Sequence, residues 1–162
     1  MIRIFCQVDV LEDSSDHVLV SLSRRDPRIH DVFRLDVNTG DLELVAENPG
    51  NISVWMTDHD GRLRIATTTD GVNESILYRK TEDDAFQVIV TTDFRETLSP
   101  LFFTFDNKDL YVASNRGRDK TAIFEFDLPT ATEGNLIFEH PDVDVFRLMY
   151  SKKRKVLTGV RY

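Results

Sequence analysis

Apolar and polar residues alternate with a period of two along much of this 162-residue chain. Val32-Phe33-Arg34-Leu35-Asp36, Leu63-Arg64-Ile65-Ala66-Thr67 and Ile123-Phe124-Glu125-Phe126-Asp127 are examples. Each run is short, rich in β-branched or aromatic residues, and bounded by Gly, Pro, Asn or Asp, which predicts half-buried strands. The stretch from Asn73 to Lys80 is the one place where a helix competes. It has poor caps and runs into the acidic turn Thr81-Glu82-Asp83-Asp84, so it too reads as a strand. The chain is predicted to be all-β.

The strands recur as a set. Asp16-His17-Val18-Leu19-Val20-Ser21 aligns with segments starting at Gly61, Lys108 and Arg154, at offsets of 45, 47 and 46 residues. A second series follows about 14 residues behind, at Val32, Ile76 and Ile123, and a third at Leu42, Phe86 and Leu136. An apolar segment and an acidic turn precede each member of the first series. Four short strands in a period of roughly 40–50 residues are the mark of a β-propeller blade. The expected blades are 7–47, 52–91 and 98–139, with a half blade at 143–162. A propeller ring takes roughly 4–8 blades. Three and a half would form a partial propeller with unpaired strand edges, cut from a longer protein and open to self-association through those edges.

Composition narrows the function classes. There are 28 acidic against 20 basic side chains and a net charge of -8, a balance that argues against nucleic acid and anionic membranes as partners. No apolar run approaches the roughly 18 residues of a membrane-spanning helix. The amino terminus lacks the features of a secretory signal. The single cysteine, Cys6, excludes an internal disulfide and, with the missing signal, points to the cytoplasm.

Arg24-Arg25-Asp26-Pro27-Arg28-Ile29-His30-Asp31-Val32-Phe33-Arg34-Leu35-Asp36-Val37-Asn38-Thr39-Gly40 resembles the amino-terminal propeller of the prolyl oligopeptidase family of serine peptidases. So do Thr57-Asp58-His59-Asp60-Gly61, Ser99-Pro100-Leu101-Phe102-Phe103 and Ser114-Asn115-Arg116-Gly117-Arg118. The Asp-x-x-Thr-Gly turn alone is generic to propellers; the order and spacing of the blocks are more specific, and they cover nearly the whole chain. The resemblance implies a propeller that gates substrate access and shapes the cavity over a triad in a carboxy-terminal α/β-hydrolase domain. The implied partners are a peptide substrate and that domain. The alternative is a stand-alone propeller-repeat module that binds proteins and has no enzyme attached.

The chain itself offers no catalytic residues. None of its nine serines has glycine both two before and two after it, as a G-x-S-x-G nucleophile turn requires. His17, His30, His59 and His140 read as solvated turn or strand-edge histidines. Asp58-His59-Asp60-Gly61 falls short of a calcium loop because position 66 is Ala. No metal or other cofactor is expected. Asn51-Ile52-Ser53 and Asn73-Glu74-Ser75 match the glycosylation triplet but are expected to stay unmodified.

Charge adds one candidate site. Arg24, Arg25, Arg28, Arg116, Arg118 and Lys120 fall in the loops expected between second and third strands. Glu12, Asp13, Asp16, Asp41, Asp58, Asp60, Glu82, Asp83, Asp84 and Asp106 fall in the loops expected on the other rim. Solvated turns favour such residues in any propeller. The sharper reading sets the five arginines against the peptidase domain or an anionic part of the substrate, by bidentate pairing. The aromatics Trp55, Phe102, Phe103, Phe105, Tyr111, Phe124 and Phe126 are expected to pack between blades.

Overall fold

The computed structural model describes residues 4–11 and 14–162, so the acidic positions Glu12 and Asp13 lie outside the described residues. Among the described residues there is no helix. β1 (Ile4–Asp9), β2 (His17–Asp26), β3 (Ile29–Asp36) and β4 (Leu42–Ala46) form one sheet in sequential order. β5 (Ile52–Thr57), β6 (Leu63–Thr69), β7 (Asn73–Tyr78) and β8 (Gln87–Asp93) form a second. β9 (Leu98–Phe103), β10 (Leu110–Ser114), β11 (Ala122–Asp127) and β12 (Thr132–Phe138) form a third. β13 (Arg147–Ser151) and β14 (Val156–Arg161) make a two-stranded sheet. The chain is all-β, a partial β-propeller of three four-stranded antiparallel blades and half of another.

The hairpins follow from local chemistry. The Asp36 carboxylate accepts hydrogen bonds from the N–H groups of Asn38 (2.8 Å) and Thr39 (3.1 Å), and Gly40 closes the turn at φ 80°. Such a carboxylate satisfies donors that the strands leave over, and glycine tolerates the left-handed backbone. Asp127 repeats the device in the third blade, accepting from the Thr130 N–H at 2.7 Å, although Ala131 occupies the left-handed position there.

Two compact units divide the chain, one of Met1–Asp70 and Leu77–Gln87, the other of Gly71–Ile76 and Val88–Tyr162. In the first, Leu19, Val32 and Leu63 are completely buried, and Val8, Leu11, Trp55 and Phe86 pack around them. Trp55 and Phe86 meet with ring centroids 5.7 Å apart. Gly61 (φ 77°) takes the left-handed backbone that other residues rarely adopt, and the end of the Leu11 side chain packs over it. In the second unit, Tyr111, Ala113, Ile123, Val145 and Leu148 form the buried cluster, joined by Leu101, Phe102, Leu157 and Val160. Phe102 of β9 meets Tyr150 of β13 at 4.2 Å between centroids, so aromatic contact ties the half blade to the third blade.

Hydrogen-bonded turn carboxylates set the acid limit of stability. Hydrogen bonds hold Asp26 (from Arg28), Asp36 (from Thr39), Asp106 and Asp127 (from Thr104 and Thr130) and Asp144 (from Thr121) below the ordinary Asp range. Depressed folded-state values mean that these groups stabilise the fold fully above the unfolded value, near pH 4, and lose that contribution as pH falls through the folded values. Asp26, lowered to about 2, protonates late. The urea midpoint is therefore expected to fall between pH 4 and pH 2, and Asp127→Asn with Asp144→Asn to flatten that fall. An unchanged slope in the double variant would remove this account.

Candidate functional site

Arg24 and Arg25 lie on β2 rather than in a loop. The register pairs Asp26 with Ile29, so the hairpin turn is only Pro27-Arg28. Asp26 causes this shortness, accepting from the Arg28 N–H at 2.8 Å and from the Arg28 guanidinium at 3.2 and 3.1 Å. Arg25 reaches the buried Asp31 (Nη2 to Oδ1, 3.0 Å) and donates to the Asn48 carbonyl at 2.8 Å. These contacts raise the Arg25 pKa through its hydrogen bond with Asp31, and Asp26 does the same for Arg28. Arg24 is exposed and rests its guanidinium 5.7 Å from the centre of the Phe33 ring. Arg25 and Arg28 are thus already neutralised, while Arg24 keeps its hydrogen-bonding edge clear of carboxylates.

In the third blade, Arg118 stacks on Phe124 at 4.0 Å and donates to Glu133 Oε2 at 3.1 Å. Glu133 Oε1 accepts the buried Ser114 hydroxyl at 2.5 Å. Arg116 approaches Glu96 at 3.7 Å, too far for a hydrogen bond. Glu96, Arg116, Gly117, Ala131, Thr132 and Glu133 line an open depression of about 380 Å³. It presents one loosely held guanidinium between two carboxylates. An anion would meet Arg116 there only against the field of Glu96 and Glu133. Lys120 pairs with Asp119 at 3.1 Å.

Two arginines with structural importance, one on a strand and one directly after a strand, escaped the sequence reading. Arg34 of β3 bridges Glu43 and Glu82, each at 2.9 Å. Glu82 also accepts the Leu63 N–H at 3.0 Å, so this ion pair clasps the turn at 79–86 to the first blade. Arg79, buried, donates to the carbonyls of Leu63 (2.7 Å) and Glu82 (2.8 Å) and lies 4.5 Å from the centre of the Phe86 ring. Burial lowers its pKa. Period-two reading sends alternate strand residues to solvent, but in a propeller both faces of a blade are covered. An arginine at an outward position, followed by an acidic turn, is the signal that could have found them.

Ser14, His17 and Asp36 lie together as a Ser-His-Asp grouping. Ser14 Oγ is 3.3 Å from His17 Nδ1, and His17 Nε2 is 3.9 Å from Asp36. The second distance is too long for the hydrogen bond that orients a catalytic imidazole. The Ser14 oxygen also accepts the His17 N–H at 3.2 Å, and Asp36 is engaged by its own turn, so the trio caps a strand. Among the described residues no group of three or more His, Cys, Asp or Glu side chains is placed to hold a metal ion.

No family model matches the chain. It is 28% identical over 130 residues to dipeptidyl aminopeptidase BIII of Pseudoxanthomonas mexicana, covering 79% of this chain and 19% of that protein. It is 23% identical over 131 residues to dipeptidyl peptidase family member 6 of Caenorhabditis elegans, covering 74% and 18% respectively. The chain therefore spans about a fifth of the length of the curated relatives it matches. Among solved structures it is similar in fold to puromycin hydrolase (TM-score 0.61, 13% identity, 85% of this chain and 23% of that one). TolB from Acinetobacter baumannii is comparable (TM-score 0.60, 16% identity, 86% and 33%). In sequence and in fold, this chain is a β-propeller segment similar to the amino-terminal propeller of the prolyl oligopeptidase family of serine peptidases.

Proposed function

We propose that this chain is the propeller portion of a serine peptidase of that family, non-catalytic by itself. It gates the access of peptides to a Ser-His-Asp triad in an α/β-hydrolase domain carried elsewhere on a longer, cytoplasmic polypeptide. The observation that carries this reading is the 130-residue likeness to a dipeptidyl aminopeptidase, confined to about a fifth of that enzyme. The fold supports it, since a propeller of short strands offers loops and rims rather than a nucleophile turn. The coding sequence beyond Tyr162 tests it directly. A downstream G-x-S-x-G between strand and helix, with dipeptide release abolished by replacing its serine, is the expected result. Further blades with no such turn would overturn the reading.

Within it, the rim arginines divide by their present engagements. Arg25, Arg28 and Arg118 already hold carboxylates and shape the hairpins. Arg116 faces Glu96 and Glu133, so Arg24, clear of carboxylates, is the one we assign to the peptidase domain or to an anionic group of the substrate. Arg24→Glu in the full-length enzyme is expected to raise KM about tenfold, as loss of a charge-assisted contact does, with kcat nearly unchanged. Unaltered KM and unaltered domain association would remove the assignment.

A further inference from the structure

The second blade ends in a strand that lacks the usual protections of a sheet edge. β8 is the outer strand of a complete four-stranded blade and pairs within it with β7 alone. The chain enters β8 from β7 and leaves it toward β9, so this edge belongs to the blade and not to either end of the sequence. An edge strand presents a row of N–H and C=O groups to any extended chain, and short strands, charges, Pro or bulges blunt it. β4, the outer strand of the first blade, is five residues long and carries Glu43. β12, in the third blade, carries Glu133 with Gly134 beside it. β8 has seven residues, with no Gly or Pro and no charge before its last position, Asp93. An uncharged, β-branched run of this length is a template for strand pairing.

Apolar exposure gathers at the same edge. Among the described side chains of the three complete blades, Phe94 at 75% and Val88 at 61% are the most exposed large apolar ones. Val88 is on β8 and Phe94 follows it directly. Hydrogen bonds fix the turn that carries Phe94. The Arg95 N–H donates to Asp93 Oδ1 at 2.8 Å, the Glu96 N–H to the Asp93 carbonyl at 3.1 Å, and the Thr97 N–H to Asn115 Oδ1 at 2.7 Å. An apolar ring displayed on an already ordered turn loses little freedom when it is covered.

We propose that two copies of this chain associate about a two-fold axis, the outer edge of β8 in one pairing antiparallel with the same edge in the other. The sequence of the strand is complementary to itself. The register centred on Val90 pairs all seven residues: Val90 with Val90, Ile89 with Thr91, Val88 with Thr92, and Gln87 with Asp93. β-branched residues meet one another along its length, and Asp93 meets a neutral side chain, so no like charges are opposed. Val88 of one copy lies diagonal to Phe94 of the other, within reach of an aromatic ring, so the two exposed apolar side chains cover each other. Such a contact uses one patch twice and closes at two copies. This inference uses only residues of this chain and stands whether or not a peptidase domain follows.

Sedimentation velocity of the complete polypeptide that carries this chain provides the test, with the mass expected to double as concentration rises. Val88→Ser with Phe94→Ser should weaken dimerisation about tenfold or more, because both apolar side chains lose their cover. Gln87→Lys should tighten it about threefold and Gln87→Asp should loosen it about as much, since that position faces Asp93. All three sites are exposed, and unchanged urea midpoints at high dilution would show that the variants fold. In a Cys6→Ser background, Val90→Cys should form an intermolecular disulfide under mild oxidation. Thr91→Cys should form far less, because only position 90 faces itself. Amide exchange should slow at β8 with concentration, while β4 and β12 stay unchanged. A monomer at every concentration, indifference to the Val88 and Phe94 changes, the same effect from Lys and Asp at position 87, or equal cross-linking at 90 and 91 would each overturn the proposal.

Discussion

Phe126→Ala is expected to lower the unfolding free energy by about 3–5 kcal/mol, the range for removing a buried aromatic side chain. Phe126 of β11 lies directly opposite Leu110 of β10, and Leu110 lies opposite Phe103 of β9. Cross-strand partners share a face, so these three form one row across the blade. All three are completely buried. Little in that row can move inward to fill the space of a lost ring, which puts the cost toward the upper end. Phe103→Ala should behave alike, and the double variant should depart from additivity because both rings contact the same leucine's neighbourhood. Phe94, 75% exposed in the turn before β9, serves as the control. The Arg95 guanidinium lies 5.3 Å from its ring centre, and Phe94→Ala should cost under about 1 kcal/mol. Urea unfolding followed by tryptophan fluorescence and circular dichroism reads all four variants. Equal costs at Phe126 and Phe94 would contradict the packing described here.

The strands were legible because two independent rhythms agree. Period-two alternation marks each strand, and the spacing of 45 to 47 residues groups them in fours. Even Asn73–Tyr78, where composition left room for a helix, resolves as a strand because its place in the repeat demands one. The rim residues were legible only in part. Arg24 and Arg25 are displaced from the loop onto β2 because Asp26 folds the chain back within two residues, a local hydrogen-bonding choice that spacing does not encode. The ion pairs were not legible at all. Arg34 and Glu82 are 48 positions apart, and their meeting depends on how successive blades pack. Likewise the Ser114 to Glu133 bond joins the ends of two different strands over one face of a twisted sheet. Sequence periodicity reports which face a side chain takes; it does not report which partner waits there.

Asp58→Ala is expected to cost about 3–5 kcal/mol, comparable with the loss of a core phenylalanine, because it strands a buried charge. Asp58 Oδ2 accepts from Arg64 Nη1 at 3.2 Å, and the two side chains are 0% and 9% exposed. Arg64 further donates to the Tyr78 hydroxyl at 2.8 Å, so the guanidinium is fixed in place. The other oxygen of Asp58 accepts the N–H groups of Asp60 and Arg62, each at 3.0 Å, and shapes the turn that ends at Gly61. The two roles separate experimentally. Asp58→Asn keeps an acceptor for the turn but removes the charge opposite Arg64. In Asp58→Ala with Arg64→Met the stranded charge disappears, leaving two unsatisfied turn donors at about 1–3 kcal/mol each. The double variant should therefore be more stable than Asp58→Ala alone while remaining below the parent chain. If Arg64→Met adds its own full cost to that of Asp58→Ala, the two groups do not act as a pair. The turn would then be the whole of what Asp58 supports.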